Sequence, residues 1–162
     1  MNESFEQVRS GREELQSLEA EDKYVFHGSD NPDIDSFEPR QAYNYKNNVK
    51  EPDGDPAIFA SSKADYAILK ALINKKNCPG GHNSSVSSSQ KENGEVSLTL
   101  KASRDSIEQL NDESYGYVYI FNKDAFQREE GAEYTSKVPV SSVKKVRVTK
   151  TDLPPHLEIA GK

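Results

Sequence analysis

Little in this chain of 162 residues suits a secreted, membrane-spanning or nucleic-acid-coating protein. A single cysteine, Cys78, leaves no internal disulfide to form. No stretch approaches the eighteen or more apolar residues of a membrane span. The start, Met1-Asn2-Glu3-Ser4, leads into acidic polar sequence without the apolar segment of a signal peptide. The expectation is a soluble cytoplasmic protein. Positive charge is scarce as well. The formal net charge is −6, whereas a protein that tracks nucleic acid gathers lysines and arginines on one face. The local exception holds Lys137, Lys144, Lys145, Arg147 and Lys150, and its alternation reads as an ordinary strand with one solvated face. The balance argues against nucleic acid as a partner. Gly-x-Gly-x-x-Gly, Walker and Gly-x-Ser-x-Gly signatures are all missing. Cys78 and His82 have a spacing that suits a metal, but no second pair completes a site, so no metal is expected.

What is present fits one domain with short extensions. Hydrophobic content is 33% and charged content 30%, and the mean hydropathy is −0.87, so part of the chain must lie outside any core. Residues 4–21 carry Phe5, Val8, Leu15 and Leu18 at helical spacing, with Gly11 weakening the middle, and residues 1–22 read as a helical extension. Tyr24-Val25-Phe26-His27-Gly28-Ser29 is a short buried strand ending in polar groups. Residues 41–55 read as a long loop, and Pro56–Ser61 as a second strand. Ser61 or Ser62 then serves as N-cap of an amphipathic helix over residues 63–73. The serine-rich stretch 74–95 buries too little to offset its ordering entropy and reads as a disordered surface insertion. Strands follow at Val96–Leu100, Tyr115–Phe121, Glu133–Val140 and Val143–Val148, with a short helix at 105–110 and a tail over 151–162. Helices cluster early and strands late without βαβ alternation, so the fold class is α+β, a single domain over 23–150 on a mixed or antiparallel sheet.

Three of these stretches resemble the ADP-ribosyltransferase superfamily, in the His-Tyr-Glu branch typified by diphtheria toxin and the poly-ADP-ribose polymerases. Phe26-His27-Gly28-Ser29 resembles its His-Gly-Thr/Ser strand, Ile58-Phe59-Ala60-Ser61 with the Tyr66 helix its Tyr-Phe-Ala segment, and Glu133-Tyr134 before Val138-Pro139-Val140 its glutamate strand. The resemblance implies a split-sheet fold with few short helices and NAD as substrate. It gives His27 to the ribose of NAD, the Gly28 backbone to the nicotinamide carboxamide, and Tyr66 to the nicotinamide ring. Ser29, Phe59 and Ser61 join them as NAD-binding positions. Glu133 becomes the catalytic carboxylate, with Glu129 and Glu130 as rivals in the preceding loop, and Arg40 the candidate for the diphosphate, since a guanidinium matches phosphate oxygens in a fork. The chain departs from the pattern at Ile58, where a tyrosine is expected. At Gly131, two residues before Glu133, it lacks the glutamate or glutamine of arginine-directed members.

The implied activity is NAD-dependent mono-ADP-ribosyl transfer to an acceptor, protein or other macromolecule, that the sequence does not identify. NAD hydrolysis shares the same first step. A noncatalytic binding module on the same fold is the alternative from another class, favoured by Ile58 and opposed by Glu133. RNA 2′-phosphotransfer, which also uses NAD, would want more basic residues along the cleft.

Overall fold

One helix, α2 (Ala64–Leu72), is buried on both sides, with seven of its nine residues inside. Apolar side chains at 64, 67, 68, 69, 71 and 72 cover most of its circumference, and a helix apolar nearly all round needs protein on both faces. Two sheets supply it. The computed structural model describes residues 10–129 and 131–160, the side chains of 42–45 and 53–55 excepted; Phe5, Val8 and Glu130 lie outside the described residues.

In chain order the strands are β1 (Tyr24–Ser29), β2 (Arg40–Lys46), β3 (Val49–Ser61), β4 (Ser84–Gln90), β5 (Val96–Ser103), β6 (Tyr115–Asn122), β7 (Gln127–Arg128), β8 (Glu133–Ser136), β9 (Lys144–Thr149) and β10 (Glu158–Ala160). The helices α1 (Gly11–Ala20) and α3 (Arg104–Gln109) flank them. The larger sheet runs β9-β6-β1-β3-β8-β7 with β2 paired to β3, antiparallel throughout. The smaller runs β10-β5-β4, with β10 parallel to β5. The chain is an α+β domain.

Against the larger sheet α2 sets Ala64, Ala67, Ile68, Ala71 and Leu72, which pack on Phe26, Val118, Ile120, Val146 and Val148. Against the smaller sheet it sets Leu69, joined by Ile73, Cys78, Leu100 and Leu110. Ile68, Leu69 and Leu72 are fully buried and contribute about 1.5–3 kcal/mol each. The opposite face of the larger sheet buries Val25, Ile58, Tyr119 and Phe121 under Phe37.

The approach of α2 is made possible by glycine. A Cβ on Gly28 would fall inside the contact shell of the Ala67 carbonyl oxygen and the Ala71 nitrogen, and one on Gly116 would strike the Ala71 carbonyl. Paired with the small Ala67 and Ala71, the two glycines let helix and strand backbones touch. On Gly28 it is the missing side chain that faces the helix.

Helix α1 anchors α2. It opens at Ser10 with a full capping box, in which Ser10 and Glu13 satisfy each other's backbone N–H. Gly11 is therefore the first helical residue and not a weak middle. Glu19 accepts a hydrogen bond from Ala64 N at 2.8 Å and so caps α2 from outside. Arg12 grips Asp65 in a fork, its Nε and Nη2 donating to the two carboxylate oxygens at 2.9 and 3.0 Å, which is what lets Asp65 sit buried. The N-cap of α2 is Lys63, and Ser61 instead accepts from Lys63 N at 3.0 Å.

Four further expectations change. Residues 41–55 form most of a hairpin, because Asn47 and Asn48 adopt φ of 53° and 66° and close a tight turn, a conformation asparagine tolerates. The stretch 74–95 is not a disordered insertion: Cys78 is a core residue, and Ser84–Gln90 pairs along its length with β5. As an edge strand, β4 is held by backbone hydrogen bonds, with Val86 turned inward, so polar composition does not prevent it. The strand expected over 133–140 ends at Ser136, and Val140 returns to bridge Phe37. In the tail, Glu158–Ala160 adds a strand to the smaller sheet.

Candidate functional site

Strand order sets the site. β1, β3 and β8 are neighbours, and Ser61 stands opposite Phe26 on one side and Glu133 on the other. β1 and β3 pair at that single position, while β1 pairs with β6 along all six residues. The sheet therefore opens between His27-Gly28 and the Phe59 end of β3. His27 reaches across this gap, its Nδ1 2.7 Å from the Phe59 carbonyl oxygen.

A cavity of about 240 Å³ lies on the α2 side of the gap and is lined by His27, Gly28, Phe59, Ser61, Tyr66 and Glu133, with Lys70 at its wall. A second cavity, of about 830 Å³, lies on the other side, where Ser29 and Arg40 join His27 and Phe59. Thus six of the eight residues singled out in the sequence meet in the smaller cavity, and Ser29 and Arg40 occupy the larger one, with His27 and Phe59 forming the wall common to both.

Since the Phe59 carbonyl can only accept, His27 Nδ1 carries the proton and Nε2 keeps its lone pair. Burial pushes the imidazole below its ordinary pKa, the positive charge of Arg40 adds to this, and the bond to Phe59 works the other way. The ring is neutral at pH 7 and is braced edge-on by Phe37 at 5.1 Å. Tyr66 shares the cavity with Glu133: burial raises its phenol pKa, and the Glu133 carboxylate raises it further.

Ile58 is turned away from the smaller cavity into the core beside Val25 and Tyr119. The phenyl and phenol rings left in that cavity are those of Phe26, which is a buried core residue, Phe59, 43% exposed, and Tyr66. Glu129 is drawn off to a different cavity, where it accepts from the Thr135 hydroxyl. Gly131 has φ of 57°, and a Cβ there would run into the Ser88 hydroxyl, so any larger residue two places before Glu133 is disfavoured. Ser88 of β4 also accepts from Ala132 N at 3.3 Å, so the serine-rich strand buttresses the turn that leads to Glu133.

Comparison with protein families, curated proteins and solved structures finds no match for this chain. The site rests on its own geometry.

Lys70 joins the site without a motif to mark it in the sequence. It lies one helical turn after Tyr66, the i to i+4 spacing that places two side chains on one face, and that spacing was the available signal. Its ammonium donates to Ser84 at 3.2 Å, and burial lowers its pKa. The assembled groups are a carboxylate, a neutral imidazole with one free acceptor, the rings of Phe26, Phe59 and Tyr66, and a partly buried cation. Such a set can hold a flat ring joined to a hydroxylated sugar and stabilise positive charge on that sugar. Among the described residues no group of three or more His, Cys, Asp or Glu could hold a metal ion, and no helix is long and apolar enough to cross a membrane.

Proposed function

We propose that the crevice binds NAD on a divergent ADP-ribosyltransferase-like split sheet and that the chain transfers ADP-ribose to an acceptor. The observation that carries the reading is the meeting of His27, Tyr66 and Glu133, distant in sequence, around one cavity at the gap between β1 and β3. In this reading the nicotinamide ring enters the smaller cavity between Phe59 and Tyr66. His27 Nε2 accepts a ribose hydroxyl, and the adenosine diphosphate half extends past Phe59 toward Arg40. The ribose C1′ to nicotinamide nitrogen bond then breaks, and its electron pair leaves with the neutral ring. Glu133 stabilises the oxocarbenium-like sugar. The acceptor's nucleophile attacks C1′ and gives up its proton to solvent; with water in that place the product is free ADP-ribose.

A second reading, a noncatalytic binding module on the same fold, is favoured by the larger cavity's charge. Asp30, Asp33, Asp35 and Glu38 line it beside Arg40, and carboxylates there oppose a diphosphate.

Nicotinamide release from NAD by purified protein separates the two. Glu133→Gln should slow release by about 10²–10³-fold, the usual loss when one charge-stabilising group is removed, while NAD affinity changes little. Equal release by wild type and variant removes Glu133 from this role. Binding without release supports the module.

A further inference from the structure

The lysine-rich strand that the sequence reads as an ordinary solvated face is β9, the free edge of the larger sheet. Its two faces behave differently. Lys144 turns toward α1 and pairs with Glu14. Lys145 and Arg147 point to the other face, opposite Tyr119 and Tyr117 of β6. There each cation is fixed on an aromatic ring. The Arg147 guanidinium carbon lies 4.6 Å from the Tyr115 ring centre and Lys145 Nζ 5.2 Å from that of Tyr117. Lys76, from the segment after α2, brings its ammonium to 3.8 Å from the Tyr115 ring. The rings themselves meet edge to face at 5.9 Å.

Among the described residues, none of these three cations pairs with a carboxylate. All three are exposed, and both tyrosines are partly so. Lys145 is further pinned by donating to the Pro32 carbonyl. In a chain of 27 acidic against 21 basic residues, three unpaired, pre-positioned cations around two tyrosines form a local exception. Cations bind phosphates, and Tyr117, with one cation over it where Tyr115 carries two, keeps ring surface for a base.

We infer that the β6–β9 face, with Lys76, Tyr115, Tyr117, Lys145 and Arg147, binds single-stranded nucleic acid. A duplex fits less well, because its bases are already paired and stacked on one another and leave no face for a tyrosine. An acidic peptide would use the cations and leave the tyrosines without a role. The surface lies outside both cavities and does not depend on NAD chemistry.

Fluorescence anisotropy with a labelled single-stranded oligothymidylate and the matching oligouridylate tests this. Binding should be weak, with a Kd of about 10⁻⁵ M, and should have a log–log salt slope near −2, the value for about three phosphate contacts on a single strand. The double variant Lys145→Glu/Arg147→Glu should weaken binding at least about tenfold. Tyr117→Leu, which keeps every charge, should weaken it about fivefold or more by loss of stacking. Both variants should keep the wild-type rate of nicotinamide release and a single cooperative thermal unfolding transition. No saturable binding at about 10⁻⁴ M protein overturns the inference. So does equal affinity for polyglutamate or duplex, or an unaffected Tyr117→Leu.

Discussion

Gly28→Ala tests what the missing side chain of Gly28 does. Resemblance assigns the backbone of this residue to a ligand, and packing makes its missing side chain the seat of α2. The added methyl meets the Ala67 carbonyl oxygen and the Ala71 nitrogen, both in the helix backbone, so no side-chain rotation relieves it. The helix must retreat by on the order of 1 Å, and a gap of that size forfeits about a quarter to a half of each lost atom contact. Overpacking of this kind costs about 1–3 kcal/mol, and a rigid backbone obstacle belongs at the upper end. For a domain of this length about 3 kcal/mol lowers the midpoint of thermal unfolding by roughly 6–12 °C. Differential scanning calorimetry of Gly28→Ala and Gly116→Ala measures it, and the two should fall together, since both face the same helix. Gly80→Ala serves as control: the nearest atoms belong to the flexible Gln109 side chain, and a shift under about 1 kcal/mol is expected. A Gly28→Ala protein that melts with wild type would refute the helix-seat assignment.

Two further outcomes follow from the same contacts. Burial lowers the His27 pKa below its ordinary 6.5, so the unfolded chain binds more protons there and stability rises with pH in that window. His27's contribution is complete above about pH 6.5 and falls as the pH drops toward the folded-state value; urea titrations at pH 7.5 and 5.5 should show His27→Asn losing part of that dependence. Asp65→Asn removes the charge that pairs with the Arg12 fork; denaturant unfolding should show a loss of about 2 kcal/mol, the scale of a charged hydrogen bond, and an unchanged midpoint would mean that α1 is held by other contacts.

The site was legible where chemistry is local. A β-branched and aromatic run ending in His27-Gly28, the Phe59 strand feeding the Tyr66 helix, and Glu133 beside Tyr134 each announce an element and a polar group at its end. Their convergence was supplied by order and resemblance, not by periodicity. What stayed hidden depends on partners distant in the chain. Ser84–Gln90 has too few apolar residues to show as a strand, because an edge strand draws its order from a neighbour's backbone. The fit of Gly28 against Ala67 becomes visible only once α2 lies across β1. Lys76 sits far from Arg147 in sequence, so their shared tyrosine gave no signal. Asn47-Asn48 was readable: two residues that tolerate positive φ, flanked by strand-like Tyr43-Asn44-Tyr45 and Val49, mark a hairpin turn.

The most direct test of the crevice is a crystal structure of Glu133→Gln grown with saturating NAD. The nicotinamide ring should lie between Phe59 and Tyr66, with a ribose hydroxyl on His27 Nε2 and the diphosphate on the Arg40 side. A crevice without dinucleotide, or NAD bound elsewhere on the molecule, would contradict it.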